Sequence, residues 1–179
     1  MDAPHIRSLG SLFVPAAQPS SRLMVVLHGL GDSLEGFVFL PELLDLPWMN
    51  YLLVNAPQPY FMGYAWFDLE DPAPGILSSR ARLQGLLEEL QAQGWPGRDL
   101  LLLGFSQGCL MAVDVALRHA QPLAGIVGIS GFVGFLERAP QEMHPQARQQ
   151  AWLITHGTLD PLLPIARTRA QFEQLRGMG

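Results

Sequence analysis

Leu100-Leu101-Leu102-Leu103-Gly104-Phe105-Ser106-Gln107-Gly108-Cys109-Leu110-Met111 is the stretch whose reading decides the fold. The leucines have the length and composition of a buried strand. The residues from Cys109 to Ala120 read as a helix. Between the two lies Gly-x-Ser-x-Gly, and strand, motif and helix together describe a nucleophile elbow. The turn is tight, so the positions two before and two after the serine must be small. Gly104 and Gly108 satisfy that demand, and Ser106 is held on a strained corner with its hydroxyl clear of the sheet.

Outward from this corner, apolar runs alternate with helical patterns. Residues 22–27, 51–55, 100–104, 123–129 and 151–155 read as strands. They are apolar nearly throughout, as strands covered on both faces are. Residues 6–14 suit an earlier edge strand or hairpin. Residues 79–93 form a helix with Leu83, Leu86, Leu87 and Leu90 on one face and a stop at Gly94. Residues 106–121 form a helix apolar on most sides except Asp114, Arg118 and His119, hence largely buried. Pro164 opens a last helix with Ile165, Phe172 and Leu175 inward. Such alternation predicts one domain over residues 1–179, a mostly parallel sheet with helices on both faces. The segment 56–75, rich in proline and aromatic residues, reads as a long loop of the kind that forms lids and pocket walls.

Composition narrows the function. Of 179 residues, 49% are hydrophobic and 15% charged, which is a packed globular chain with little room for a disordered tail. The net charge is −5 and every cation is arginine, which leaves no basic footprint for nucleic acid or an anionic membrane. The single Cys109 excludes an internal disulfide and suits a reducing compartment. The N-terminus lacks the apolar core of a signal peptide and no stretch reads as a membrane span. The expectation is a soluble cytoplasmic protein.

A serine hydroxyl needs a base, and the base an orienting carboxylate. In sheets of this type ligands gather at the C-terminal strand ends. After the strand at 22–27 comes His28-Gly29-Leu30-Gly31-Asp32. Its glycines allow a sharp turn, so the Leu30 N–H and the Gln107 N–H are the candidate oxyanion donors. His28 reads as structural and Asp32 as a helix cap. After the strand at 151–155 comes His156-Gly157-Thr158-Leu159-Asp160-Pro161, where Asp160 is placed to orient a base. The base itself is hard to assign. In this architecture the order is serine, acid, histidine, yet His5, His28, His119, His144 and His156 all precede Asp160. His119 lies thirteen positions beyond Ser106 on one helix, about 20 Å along its axis. The run 151–155 is also too apolar for an open sheet edge. The expectation is that this chain lacks a last strand, a histidine-bearing loop and a terminal helix, with the base beyond residue 179.

Four motifs occur together and in order: Leu27-His28-Gly29-Leu30-Gly31-Asp32, Ala65-Trp66-Phe67-Asp68, Gly104-Phe105-Ser106-Gln107-Gly108 and His156-Gly157-Thr158-Leu159-Asp160-Pro161. The set resembles the phospholipase/carboxylesterase family of α/β-hydrolases, which includes the acyl-protein thioesterases, from about Leu23 onward. The resemblance implies the α/β-hydrolase fold, Ser106 as nucleophile, Asp160 as triad acid, and Leu30 and Gln107 as oxyanion donors through their backbones. It places Trp66, with Phe67 beside it, at the substrate pocket. It implies hydrolysis of esters or thioesters without metal or organic cofactor, and homodimers in many members. It also puts the triad histidine some thirty residues beyond the acid. Cys109 departs from a usual glycine.

The leading reading is therefore a serine esterase acting on apolar acyl groups. The competing one is a binding module that kept the pocket and lost the base. A peptidase would want an extra domain, and a dienelactone hydrolase a cysteine at position 106.

Overall fold

The structure, a computed structural model, describes residues 2–178. Strands β1 (Ser11–Val14), β2 (Leu23–Leu27), β3 (Asn50–Val54), β4 (Gln58–Tyr60), β5 (Gly63–Ala65), β6 (Leu100–Phe105), β7 (Gly125–Ile129) and β8 (Trp152–Thr155) are joined by helices α1 (Leu40–Leu44), α2 (Pro72–Ala92), α3 (Gln107–Arg118), α4 (Ala139–Glu142) and α5 (Ile165–Arg176). Six strands form one sheet in the order β1-β3-β2-β6-β7-β8. β1 runs antiparallel to β3 and every other neighbouring pair is parallel. A parallel pair needs a crossover long enough for a helix, and α2 and α3 supply those on either side of β6.

The central strands β2 and β3 are buried at every position. On one face Val25, Leu52, Leu102 and Ile126 pack against Leu83, Leu86, Leu87 and Leu90 of α2 and Leu110 and Met111 of α3. Phe172 and Leu175 of α5 pack onto Val113 and Leu117 of α3. On the other face Met24, Val26, Leu53 and Leu103 meet Leu40 of α1 and Met49. A core of this kind is driven by removal of apolar area from water, at roughly 25 cal/mol per Å². No helix among the described residues is long and apolar enough to cross a membrane.

The structure differs from the sequence reading at two places. α2 begins at Pro72, seven residues before the expected start. The expected loop 56–75 holds the antiparallel hairpin β4–β5, with Gln58 opposite Ala65 and Tyr60 opposite Gly63. The apolar strand β8 lies at the edge of the sheet: among the described residues it pairs only with β7, and Leu153 is 57% exposed.

Candidate active site

The loops after β2, β6 and β8 leave the sheet on the same side, because these strands are parallel. β2 adjoins β6, and β8 stands two strands beyond β6, about 10 Å at the usual strand spacing.

At the end of β6 the chain turns on Ser106, whose φ is 53° and ψ −115°. A non-glycine residue there is strained, and such strain persists only where the surroundings enforce it. The enforcement is visible. The Ser106 N–H donates to Ile129 O at 2.9 Å, and its own carbonyl accepts from Leu110 at 3.2 Å as α3 begins. A Cβ on Gly104 would meet Gly108 O, and one on Gly108 would meet Leu27 O, each closer than any carbon can stand. The two glycines thus let β6, α3 and β2 converge under the serine. Ser106 is half-buried and occupies the N-cap position of α3, yet its hydroxyl makes no capping bond. The hydroxyl thus stands uncapped at the positive end of a twelve-residue helix.

The loop after β2 lies against this corner. A Cβ on Gly29 would sit 3.4 Å from that of Ser106. Gly31 has φ +78°, a left-handed conformation that glycine adopts without a steric penalty. The Gly31 N–H donates to Tyr64 O at 2.8 Å and that of Asp32 to Gly29 O at 3.3 Å, while the preceding Leu30 N–H has no acceptor among the described residues. The Gln107 N–H stands in the first turn of α3, where helical amides have no intrahelical acceptor. Asp32 accepts from the Ser33 N–H at 2.8 Å and caps its own turn rather than a helix.

Asp160 lies past β8, with one carboxylate oxygen accepting from the N–H groups of Leu162 (3.0 Å) and Leu163 (2.9 Å). These two bonds, Leu163 first, hold its pKa below the usual carboxylate range. Its other oxygen stands 3.5 Å from His156 Nε2. That ring nitrogen also lies 2.6 Å from Leu163 O, so it carries the proton and His156 braces the acid loop.

The remaining histidines are spoken for or distant. His28 is buried, with Nδ1 2.6 Å from Gly29 O and Nε2 accepting from the Ala56 N–H at 3.0 Å. A carbonyl only accepts, so Nδ1 is protonated and the ring is neutral with no lone pair to spare. Desolvation lowers its pKa accordingly. His144 is half-buried and accepts from the Gln146 N–H. His119 closes the far end of α3, and the His5 backbone pairs with Gln93.

Trp66 and Phe67 do not form an open pocket wall. Trp66 is 0% exposed and Phe67 is buried, both within the core under the site. The reason is hydrogen bonding. The Trp66 indole N–H donates to His28 O at 2.9 Å, and its backbone carbonyl accepts from Ser79 Oγ at 2.6 Å. Phe61, at the tip of the β4–β5 hairpin with Met62, is 93% exposed instead, and Phe105 beside Ser106 is also exposed. Sequence reading also passed over the Gln107 side chain, which bridges Trp66 and Phe67. Its signal was a lone amide in a wholly buried first turn. Among the described residues no group of three His, Cys, Asp or Glu could hold a metal ion.

The family model for phospholipases and carboxylesterases matches residues 11–178. This chain belongs to the phospholipase/carboxylesterase family. It is an α/β-hydrolase of the serine-hydrolase type. Acyl-protein thioesterase 1 of Schizosaccharomyces pombe is 30% identical over 185 residues, which cover 93% of this chain and 81% of that protein. A probable inactive carboxylesterase of Oryza sativa subsp. japonica is 29% identical, covering 90% of this chain and 74% of the relative. The crystal structure of esterase PE8 superposes with a TM-score of 0.83 at 30% identity, over 96% of this chain and 85% of that one.

Proposed function

We propose that this chain cleaves carboxylic esters, thioesters included, of apolar acyl groups through an acyl-enzyme on Ser106. The observation that carries the reading is the strained, uncapped Ser106 at the head of α3, beside the free Leu30 N–H. Ser106 Oγ attacks the acyl carbonyl while a histidine takes its proton. The Leu30 and Gln107 amides receive the negative oxygen. The histidine returns the proton to the departing alcohol or thiol, and water repeats the sequence to release the acid. Asp160 orients the histidine through the carboxylate oxygen that no backbone amide occupies. Both nitrogens of His28 are engaged by backbone groups and His156 Nε2 is held at Leu163 O, so the base is assigned to neither. Exposed Phe61 and Met62 of the β4–β5 hairpin, and exposed Leu159 and Leu162 of the loop that carries Asp160, favour an apolar acyl group. The relatives' names support the ester and thioester chemistry, and the buried free Cys109 supports a cytoplasmic setting.

The test is hydrolysis of a short-chain p-nitrophenyl ester by the parent and by Ser106→Ala. The expected loss is about a thousandfold or more. Equal turnover by the two proteins overturns the reading.

The occupied histidines favour a second reading, a homologue that binds acyl ligands without turning them over; a relative in rice bears the name of a probable inactive carboxylesterase. A fluorophosphonate probe separates the two. Covalent labelling of Ser106 supports the hydrolase, and binding of a fatty acid without labelling supports the binder.

A further inference from the structure

We infer that the Gln107 side-chain amide is a positioning residue that sets the spacing between the two oxyanion donors. The inference rests on the hydrolase reading above. Gln107 is unusual in having its backbone at the proposed hole and its side chain turned into the core. Its Oε1 accepts from the Trp66 N–H at 3.0 Å and its Nε2 donates to Phe67 O at 2.9 Å. The side chain therefore engages a backbone donor and a backbone acceptor of one segment, as a paired strand would.

That segment is the same one that holds the other donor. Tyr64 accepts from the Gly31 N–H and donates to Asp32 O at 2.9 Å, gripping the two residues that follow Leu30. The Trp66 indole fixes the His28 carbonyl, and so the peptide plane leading into Gly29. Residues 64–67 form a rib: one end grips the loop that carries Leu30, and the other is gripped by Gln107. Ser79 Oγ holds the rib from α2 but touches neither donor. The distance from the Leu30 N–H to the Gln107 N–H is thus read across one shared element. The Gln107 amide supplies both direct hydrogen bonds by which its own helix turn joins that element. Oxyanion donors act through placement, and a displacement of about 1 Å can cost on the order of a hundredfold in rate.

Three variants of the 1–179 chain test this. Gln107→Met keeps the length and loses both bonds. Gln107→Glu keeps the acceptor for Trp66 and loses the donor to Phe67, and it serves if the methionine variant does not fold. Ser79→Ala loosens the rib from α2 alone. The readouts are kcat and KM on the p-nitrophenyl ester, the Kd of phenylboronic acid, whose tetrahedral serine adduct fills the hole, and Tm. The expected result is a fall of about 10- to 100-fold in kcat, or in boronate affinity, for either Gln107 variant, with KM within about twofold. Ser79→Ala should lower Tm and leave kcat and boronate Kd within about twofold. Boronate binding alone decides the matter if turnover is slow. Parent-like kcat and boronate Kd in folded Gln107 variants, or an equal loss in Ser79→Ala, overturns the positioning role. A parent that neither turns over ester nor binds boronate overturns the hydrolase reading and this inference together.

Discussion

Trp66 and His28 meet twice. The indole N–H donates to the His28 carbonyl at 2.9 Å, and the two rings lie with centroids 5.7 Å apart, tilted by 38°. His28 in turn uses both ring nitrogens on backbone groups, at Gly29 O and the Ala56 N–H. One tryptophan and one histidine therefore hold the end of β2 where the loop that carries Leu30 begins.

Replacing Trp66 by Phe removes the donor and leaves a buried carbonyl unpaired. An unsatisfied buried group costs about 1–3 kcal/mol, and the lost ring adds a cavity. Urea unfolding should show a stability loss of at least about 2 kcal/mol. An unchanged midpoint would show that the indole only fills space.

The pH dependence of stability tests the His28 assignment. Burial lowers its pKa in the folded chain below the ordinary 6.5, so the unfolded chain takes up a proton first as pH falls. Its contribution is fully present above pH 6.5 and is lost as pH drops from there through the folded pKa. His119 is shifted in the same direction and adds to the same window. The parent should therefore lose stability below pH 6.5, and His28→Gln, already weaker at pH 8, should lose less. Parallel curves for the two proteins would mean that His28 keeps its ordinary affinity for protons when folded.

The central strands β2, β3 and β6 and helix α3 were legible because they are covered on both faces, so their composition alone declares them. Gly104 and Gly108 announced the elbow because no other side chain fits where three backbones converge. The start of α2 was not legible. Pro72 and Pro74 look like loop residues, yet the first turn of a helix has N–H groups with no partner, and proline gives up nothing there. The hairpin β4–β5 was hidden for another reason. Its strands are three residues each, and Phe61 takes a positive φ of 51° at the turn, where a glycine or asparagine would have signalled it. The inward turn of Trp66 depends on partners 38 and 41 positions away, at His28 and Gln107, which local pattern does not encode.

Glycines of different kinds should respond oppositely to alanine. Gly104→Ala drives a methyl into the Gly108 carbonyl. Backbone cannot yield there without opening the elbow, so a loss of about 3 kcal/mol or more is expected, with insoluble expression as an extreme form. Gly85 lies inside α2, where a methyl would meet only Ser8 Cβ at 3.9 Å, an ordinary van der Waals contact. Gly85→Ala should raise stability by about 0.5–1 kcal/mol through helix propensity. Thermal melts of the two variants beside the parent check both signs.

Asp114 is the buried charge that joins three helices. It is fully buried on α3, takes a bidentate pair of hydrogen bonds from Arg80 of α2 at 2.6 and 2.9 Å, and a third from Arg118 at 2.7 Å. Arg118 continues to Glu142 of α4, with N–O distances of 2.7 and 2.8 Å. Asp114→Ala leaves two largely buried guanidinium groups without their shared partner, and breaking such a site costs about 3–5 kcal/mol. Glu142→Gln touches only the exposed end of the chain of charges and should cost at most about 1 kcal/mol. The Arg118 guanidinium beside Glu142 holds its carboxyl below the ordinary range. That small contribution is therefore present above about pH 4.5 and lost on further acidification, so the gap between parent and Glu142→Gln should close there. Equal losses for Asp114→Ala and Glu142→Gln at pH 7 would mean that burial at α3 adds nothing to the network.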